Sequence, residues 1–363
     1  MADDFLPIKG YDHVEFYVGN ALQAAYVYEH AFGFTRVAYA GPETGLRDRA
    51  SYVMRQARIT VVLTAPMTKD GPIAHHVAKH GDGVRDVALG VDDVEGTFSD
   101  AVTRGAIAVS KPDTVKDEHG TIVRAQVASY GDTVHTLIDR SQYTGVHLPG
   151  YKATGNKLGR GVGLTHLDHA VGNVEIGKMD RWVDYYKHAF GFQDFVSFDE
   201  KDISTDYSAL RSKVVANADL KVKLPINEPA AGKKRSQIQE YLDFYPGPGV
   251  QHLAIRTDDI LATIAEMRRR GVDFLHTPDS YYDDLKRRVP AMTEAVEDLR
   301  KLRILADRDE HGYLLQLFTK PIQDRPTLFF EIIQRKGAES FGKGNFKALF
   351  ESIEREQAKR GNL

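Results

Sequence analysis

The chain has 363 residues, 42% of them apolar and 27% charged, with 48 basic against 51 acidic side chains. That length allows two domains or one large repeated unit, and the near balance of charge argues against a nucleic-acid binder. No apolar run reaches the roughly 20 residues that cross a bilayer, and the absence of cysteine removes disulfides, thiolate metal sites and cysteine nucleophiles. The opening MADDFLPIKG has neither the basic nor the apolar region of a signal peptide. A soluble, cytoplasmic protein without membrane or nucleic-acid partners is expected, and any metal in it must rest on His, Asp or Glu.

Taken in chain order, the sequence repeats itself. Asp12-His13-Val14 leads through a helical pattern into Ala31-Phe32-Gly33-Phe34, as Asp168-His169-Ala170 leads into Ala189-Phe190-Gly191-Phe192. GDGVRDVALGVDDV (81–94) aligns with GPGVQHLAIRTDDI (247–260), and the match runs without a gap through Arg104-Gly105 against Arg270-Gly271 to Pro112 against Pro278. This pattern predicts a duplicated pair of domains, 1–150 and 151–363, joined by a Gly/Pro/Tyr-rich stretch near 145–162.

Each half also reads as two smaller modules. In the second half, strands are predicted at 166–174 and near 192–198, 207–214 and 220–226, with a helix at 178–190 carrying Trp182, Tyr185 and Tyr186 on its apolar side. The next module takes a strand at 250–257, a helix at 259–271 closing on Gly271, and strands near 301–306 and 313–319. A strand at 327–334 (TLFFEIIQ) and a final helix at about 344–359 complete the chain. The expected fold class is α+β, with four such modules closing into two half-barrels.

With cysteine absent, a two-His, one-carboxylate set for non-haem Fe(II) is the metal chemistry to look for. His169, in LDHAV, is placed by strand alternation on one face with Leu167 and Val171. His252, in VQHLAI, opens the following module at the equivalent place, and Glu331 is a carboxylate inside an apolar strand. Taken singly, each histidine is more often an ordinary core or surface residue, and Glu331 could be an edge residue facing water. The repeat favours convergence of the two histidine strands, and a buried carboxylate needs a cation. In the first half His13 stands where His169 does, but Asp86 replaces His252, Arg85 lies beside it, and no FFEII-like strand is evident before SQYTGVHLPGY. That half is expected to be structural; the less favoured reading is a second metal at His13 and Asp86. GRGVG (159–163) lacks the spacing of a dinucleotide loop. Lys233-Lys234-Arg235 reads as a solvated loop, and MRRRG (267–271) as a helix C-terminus.

LDHAVGNV, LPINEP, KKRSQIQEYL, GVQHLAI, TPDSYYDDL, LQLFTKPIQDRPTLFFEIIQR and FGKGNFKALFESIEREQ resemble the 4-hydroxyphenylpyruvate dioxygenases over essentially the whole chain, most closely from about residue 164. The resemblance implies the vicinal-oxygen-chelate architecture of βαβββ modules, with Fe(II) held by His169, His252 and Glu331. It implies conversion of 4-hydroxyphenylpyruvate and O2 to homogentisate and CO2 by oxidative decarboxylation, ring hydroxylation and side-chain migration, as in tyrosine and phenylalanine catabolism. By the same resemblance Ser212, Asn227, Gln237 and Gln251 surround the substrate, and Gln316 lies close to the iron and the 2-oxo acid. Of these, Asn227, Gln251 and Gln316 are the implied catalytic residues. Phe318, Phe341 and Phe346 would wall the pocket, the C-terminal helix would gate it, and a homodimer is expected. The alternatives are hydroxymandelate synthase, which hydroxylates the benzylic carbon of the same substrate, a metal-free binding protein of this architecture, and a metal-dependent isomerase or lyase. Pro225 and Asn227 in LPINEP follow the ring-hydroxylating pattern.

Overall fold

The computed structural model describes residues 6–199, 209–230 and 232–362. The first sheet is built from β1 (Ile8–Tyr17), β2 (Thr35–Ala40), β3 (Arg49–Gln56), β4 (Ile59–Pro66), β5 (Gly83–Val91), β6 (Ala108–Asp117), β7 (Gly120–Ala128), β8 (Val134–Asp139) and β9 (Lys152–Ala153). The second contains β10 (Leu164–Asn173), β11 (Gln193–Phe198), β12 (Ala209–Ala216), β13 (Lys223–Ala230), β14 (Gly249–Thr257), β15 (Leu305–Arg308), β16 (Tyr313–Phe318) and β17 (Phe329–Lys336). Their orders are β6-β7-β8-β5-β1-β4-β3-β2-β9 and β11-β12-β13-β10-β14-β17-β16-β15. Four βαβββ modules are therefore present, each with its first and last strands parallel neighbours. Within each half the two first strands pair antiparallel at the centre of an open half-barrel.

The helices are α1 (Ala21–His30), α2 (Pro72–His80), α3 (Val94–Thr103), α4 (Met179–Phe190), α5 (Gln237–Phe244), α6 (Ile260–Arg269), α7 (Leu285–Arg288), α8 (Val296–Leu302) and α9 (Phe346–Lys359), of which α1, α3, α4 and α6 are the crossover helices of the four modules. The repeated Asp-Asp of the sequence has a local purpose. Asp93 and Asp259 are the N-caps of α3 and α6, each carboxylate accepting from a backbone N–H three residues on. Gly191 ends α4 at φ 70, a left-handed position that favours glycine. Among the described residues no helix is long and apolar enough to cross a membrane.

Several element boundaries differ from the sequence reading, three of them for identifiable reasons. The strand expected near 301–306 is only Leu305–Arg308, because α8 runs to Leu302 and Arg303 turns the chain at φ 65. The strand expected near 220–226 starts at Lys223, after a turn in which Leu220 takes φ 58. Of the strand expected near 207–214, residues 207 and 208 lie outside the described residues, and the strand observed is Ala209–Ala216. A larger correction concerns the first half. It does contain a strand equivalent to FFEII: β8 lies parallel to β5 as β17 lies parallel to β14. VHTLID was missed because it is short and interrupted by polar residues.

The halves share one core. Phe330 of β17 packs against Phe32 at 5.0 Å and Tyr28 at 6.0 Å between ring centroids, both from the first half. The Tyr186 hydroxyl of α4 lies 2.6 Å from Ser129 Oγ and 2.8 Å from His135 Nε2 across the same interface. Phe330→Ala should cost about 3–5 kcal/mol, the usual range for emptying a buried aromatic site, measured by denaturant unfolding of the metal-free chain.

Candidate metal centre and its cavity

The three ligand candidates fall on three adjacent strands. In register, His169 of β10 pairs with Ala254 of β14, and Ala254 pairs with Glu331 of β17. His252 lies two residues before Ala254, so alternation puts it on the same face. A register shift between Leu167 and His169 marks a β-bulge at Asp168. The extra residue moves the alternation by one. Leu167, expected beside His169, instead lines a separate cleft with Leu253, Ile255 and Phe330. Val171 does line the metal cavity with His169.

The three side chains converge on one point. Glu331 Oε2 is 3.3 Å from His169 Nε2 and 3.4 Å from His252 Nε2, and the candidate ligand atoms all lie within 4.8 Å of one another. All three residues are buried. His169 Nδ1–H donates to Asp168 Oδ1 at 2.8 Å, and His252 Nδ1–H donates to Gln251 Oε1 at 3.0 Å. Each hydrogen bond selects the tautomer that aims the Nε2 lone pair at the centre. Asp168 in turn is gripped by Arg335, whose Nε and Nη2 donate to its two oxygens at 2.8 Å each. Phe329 stacks on His252 and Phe341 meets His169 edge-on, both at 4.8 Å. Two imidazoles and one carboxylate, with positions left open, suit a divalent cation.

The electrostatics of the three side chains agree. Burial pushes the Glu331 carboxyl up, but the two imidazoles overcome it and hold the group at about 2. Burial lowers His252. For His169 burial also works downward, yet the Glu331 and Asp168 carboxylates outweigh it and raise the group above its ordinary value. Metal uptake therefore competes with protonation of His169. We expect affinity to rise with pH and metal binding to release protons. Calorimetric titration in buffers of different ionisation enthalpy reads this directly; release of no proton contradicts it.

Every residue that the sequence resemblance placed around the substrate lines one cavity with the three ligands: Ser212, Asn227, Gln237, Gln251, Gln316, Phe318, Phe341 and Phe346. Its volume is about 70 Å³, several times what one water needs. The buried Gln316 Oε1 has no hydrogen-bond partner in the protein, so the cavity presents an acceptor awaiting a donor. The apolar face of α9 closes one side with Phe346, Leu349, Phe350 and Ile353. Sequence reasoning missed Asp168, Arg335 and the stacking of Phe329. The Asp-His pair repeated at 12–13 and 168–169 was the available signal for the first.

The first half keeps the scaffold of this centre but, of its three candidate ligands, only the histidine. Asp12 accepts from His13 Nδ1 at 2.6 Å and is gripped by Arg140 at 2.7 and 2.8 Å, repeating Asp168, His169 and Arg335. Register places Thr136 where Glu331 stands, and both Asp86 oxygens are taken by Thr136, through its N–H and its hydroxyl. Arg85, expected to disturb a cation there, points away and donates to the Asp132 carbonyl.

Residues 166–317 match the family described as the Glyoxalase/Bleomycin resistance protein/Dioxygenase superfamily. Fold and metal set together define a member of that class. Residues 3–147 match the family described as Hydroxyphenylpyruvate dioxygenase, N-terminal. The chain is 50% identical to the 4-hydroxyphenylpyruvate dioxygenase of Yarrowia lipolytica, covering 98% of this chain and 94% of that one. It is 49% identical to that of Dictyostelium discoideum, over 98% and 100% of the two chains. A solved triple mutant of 4-hydroxymandelate synthase from Streptomyces coelicolor is 37% identical, with a TM-score of 0.87 over 97% of this chain and 99% of that one. The chain belongs to the 4-hydroxyphenylpyruvate dioxygenase family.

Proposed function

We propose that this chain is an Fe(II)-dependent 4-hydroxyphenylpyruvate dioxygenase, converting 4-hydroxyphenylpyruvate and O2 to homogentisate and CO2. The observation that carries the reading is the convergence of His169, His252 and Glu331 within 4.8 Å in a buried cavity lined otherwise by neutral amides and aromatics. Bound by these three residues, iron would supply open positions for the 2-oxo acid and O2 and the oxidising power for hydroxylation.

The chain's own part is orientation and exclusion of water. Asn227, Gln251 and Gln316 serve the reaction by holding the substrate, with Ser212 and Gln237 completing the polar lining. Neutral amides suit an uncharged phenol, because a charged partner would be costly to bury unpaired. Phe318, Phe341 and Phe346 wall the ring, and α9 acts as the gate that keeps water from the oxidising step. The division 1–150 and 151–363 separates a scaffolding half from a catalytic one, with the short β9 just past it still paired to the first sheet. The chain works in the cytoplasm as a homodimer, a state that light scattering on the purified protein checks.

Anaerobic loading with Fe(II) and 4-hydroxyphenylpyruvate, then admission of O2, tests the reading. Homogentisate with one CO2 per O2 supports it. Hydroxymandelate would keep the metal centre and replace ring by benzylic hydroxylation; absence of O2 uptake by iron-loaded protein would refute both.

A further inference from the structure

A second cleft, about 330 Å³, opens where the two halves meet, on β10 and β14 but away from the metal cavity. Its floor is apolar where the partly exposed Tyr11, Leu167 and Leu220 line it, above the buried Leu253, Ile255 and Phe330. Its wall carries Arg58, His166, Lys223 and Arg256. His166 and Arg256 are cross-strand partners, and Arg58 Nη2 donates to His166 Nδ1 at 3.1 Å, so that imidazole is neutral. Lys223 is fixed from the other half: the Tyr11 hydroxyl donates to its carbonyl at 2.7 Å and accepts from its N–H at 3.1 Å.

Lys223 and Arg256 are half-buried, yet among the described residues neither side chain makes a hydrogen bond or ion pair, although the Asp168 and Glu339 carboxylates act on Lys223 at longer range. The two carboxylates of the cleft, Asp12 and Asp168, are already committed to Arg140 with His13 and to Arg335 with His169. Burial lowers Lys223 as well, with Arg335 and Arg256 adding to it against Asp168. Unpaired cations over low-dielectric walls focus a positive potential, and a guanidinium fork matches a carboxylate.

We propose that this cleft is a binding site for a small organic carboxylate, its charged end on Arg256, Lys223 and Arg58 and its apolar body on Tyr11, Leu167 and Leu220. It is separate from the catalytic cavity and independent of the metal.

The test is calorimetric titration of the full-length, metal-free protein with phenylacetate. Wild type should bind one equivalent. The Lys223→Met/Arg256→Gln variant should bind at least about tenfold more weakly, the scale of one lost charge-assisted hydrogen bond. The exposed single change Arg58→Gln should weaken binding without risk to the fold, and Asn227→Leu, in the metal cavity, should leave it unchanged. No binding, or binding insensitive to the cleft substitutions in folded protein, overturns the proposal. Loss through Asn227→Leu would assign the ligand to the catalytic cavity and overturn it equally. Equal affinity for inorganic phosphate would remove the apolar floor from the argument and overturn the assignment to an organic carboxylate.

Discussion

His252→Ala should give a folded protein with no stably bound metal and no measurable turnover. The substitution removes one of three converging ligand atoms and leaves Glu331 Oε2 facing only His169 Nε2 at 3.3 Å. Several kcal/mol of metal assistance are lost, which corresponds to a fall in rate of about a thousandfold or more. The fold should survive, because β14 remains paired on both sides, to β10 and to β17. Metal content, O2 consumption and the unfolding midpoint, measured together, check each part. His13→Ala is the matched control: it removes the equivalent imidazole from a site whose other positions are Asp86 and Thr136. Its turnover should stay within about twofold of wild type, as expected for a change far from the reacting atoms. Abolished activity in folded His13→Ala would refute a purely scaffolding first half.

The second large effect is expected at Arg335. The Asp168–Arg335 pair is buried and doubly hydrogen-bonded, and it holds the ligand His169. Arg335→Met leaves a buried carboxylate without its main partner, which costs about 3–5 kcal/mol. Loosening His169 should also weaken metal binding by about 10–100-fold. Asp168→Asn/Arg335→Met should be milder in stability than Arg335→Met alone, since no charge is left unpaired. Denaturant unfolding and metal titration separate the two effects. Arg140→Met supplies an internal comparison, because Arg140 grips Asp12 in the same manner without a metal beyond it. It should reduce stability and spare metal affinity.

The same pairs set the acid limb of stability. Burial alone would raise Asp168, but Arg335 and His169 hold it well below the usual carboxylate range, and Arg140 with His13 does the same for Asp12. A carboxyl depressed in the folded state contributes stability that is present above its unfolded value of about 3.9. That contribution is lost as pH falls through the folded value.

Much of the site was legible because chemistry and periodicity are local. Histidine and glutamate within apolar strands stand out residue by residue, and the duplicated Asp-His and Asp-Asp segments announced the modular repeat. The aligned Asp93 and Asp259 show why such segments persist: each caps its own helix within three residues. The amides and phenylalanines of the cavity came from resemblance, since nothing local marks an exposed glutamine from one that lines a pocket.

By itself, then, the sequence determined the α+β class, the repeat and which three residues stand out as candidate ligands, all properties carried by side-chain type and spacing along the chain. Tertiary structure alone decided their convergence, because pairing β10, β14 and β17 in register joins residues far apart in the chain. It also decided that Asp168 finds Arg335, 167 residues away, that Thr136 occupies the counterpart of Glu331, and that a bulge turns Leu167 from the metal cavity. A bulge shifts every later side chain to the other face, and that shift is set by the partner strand rather than by the residues around it.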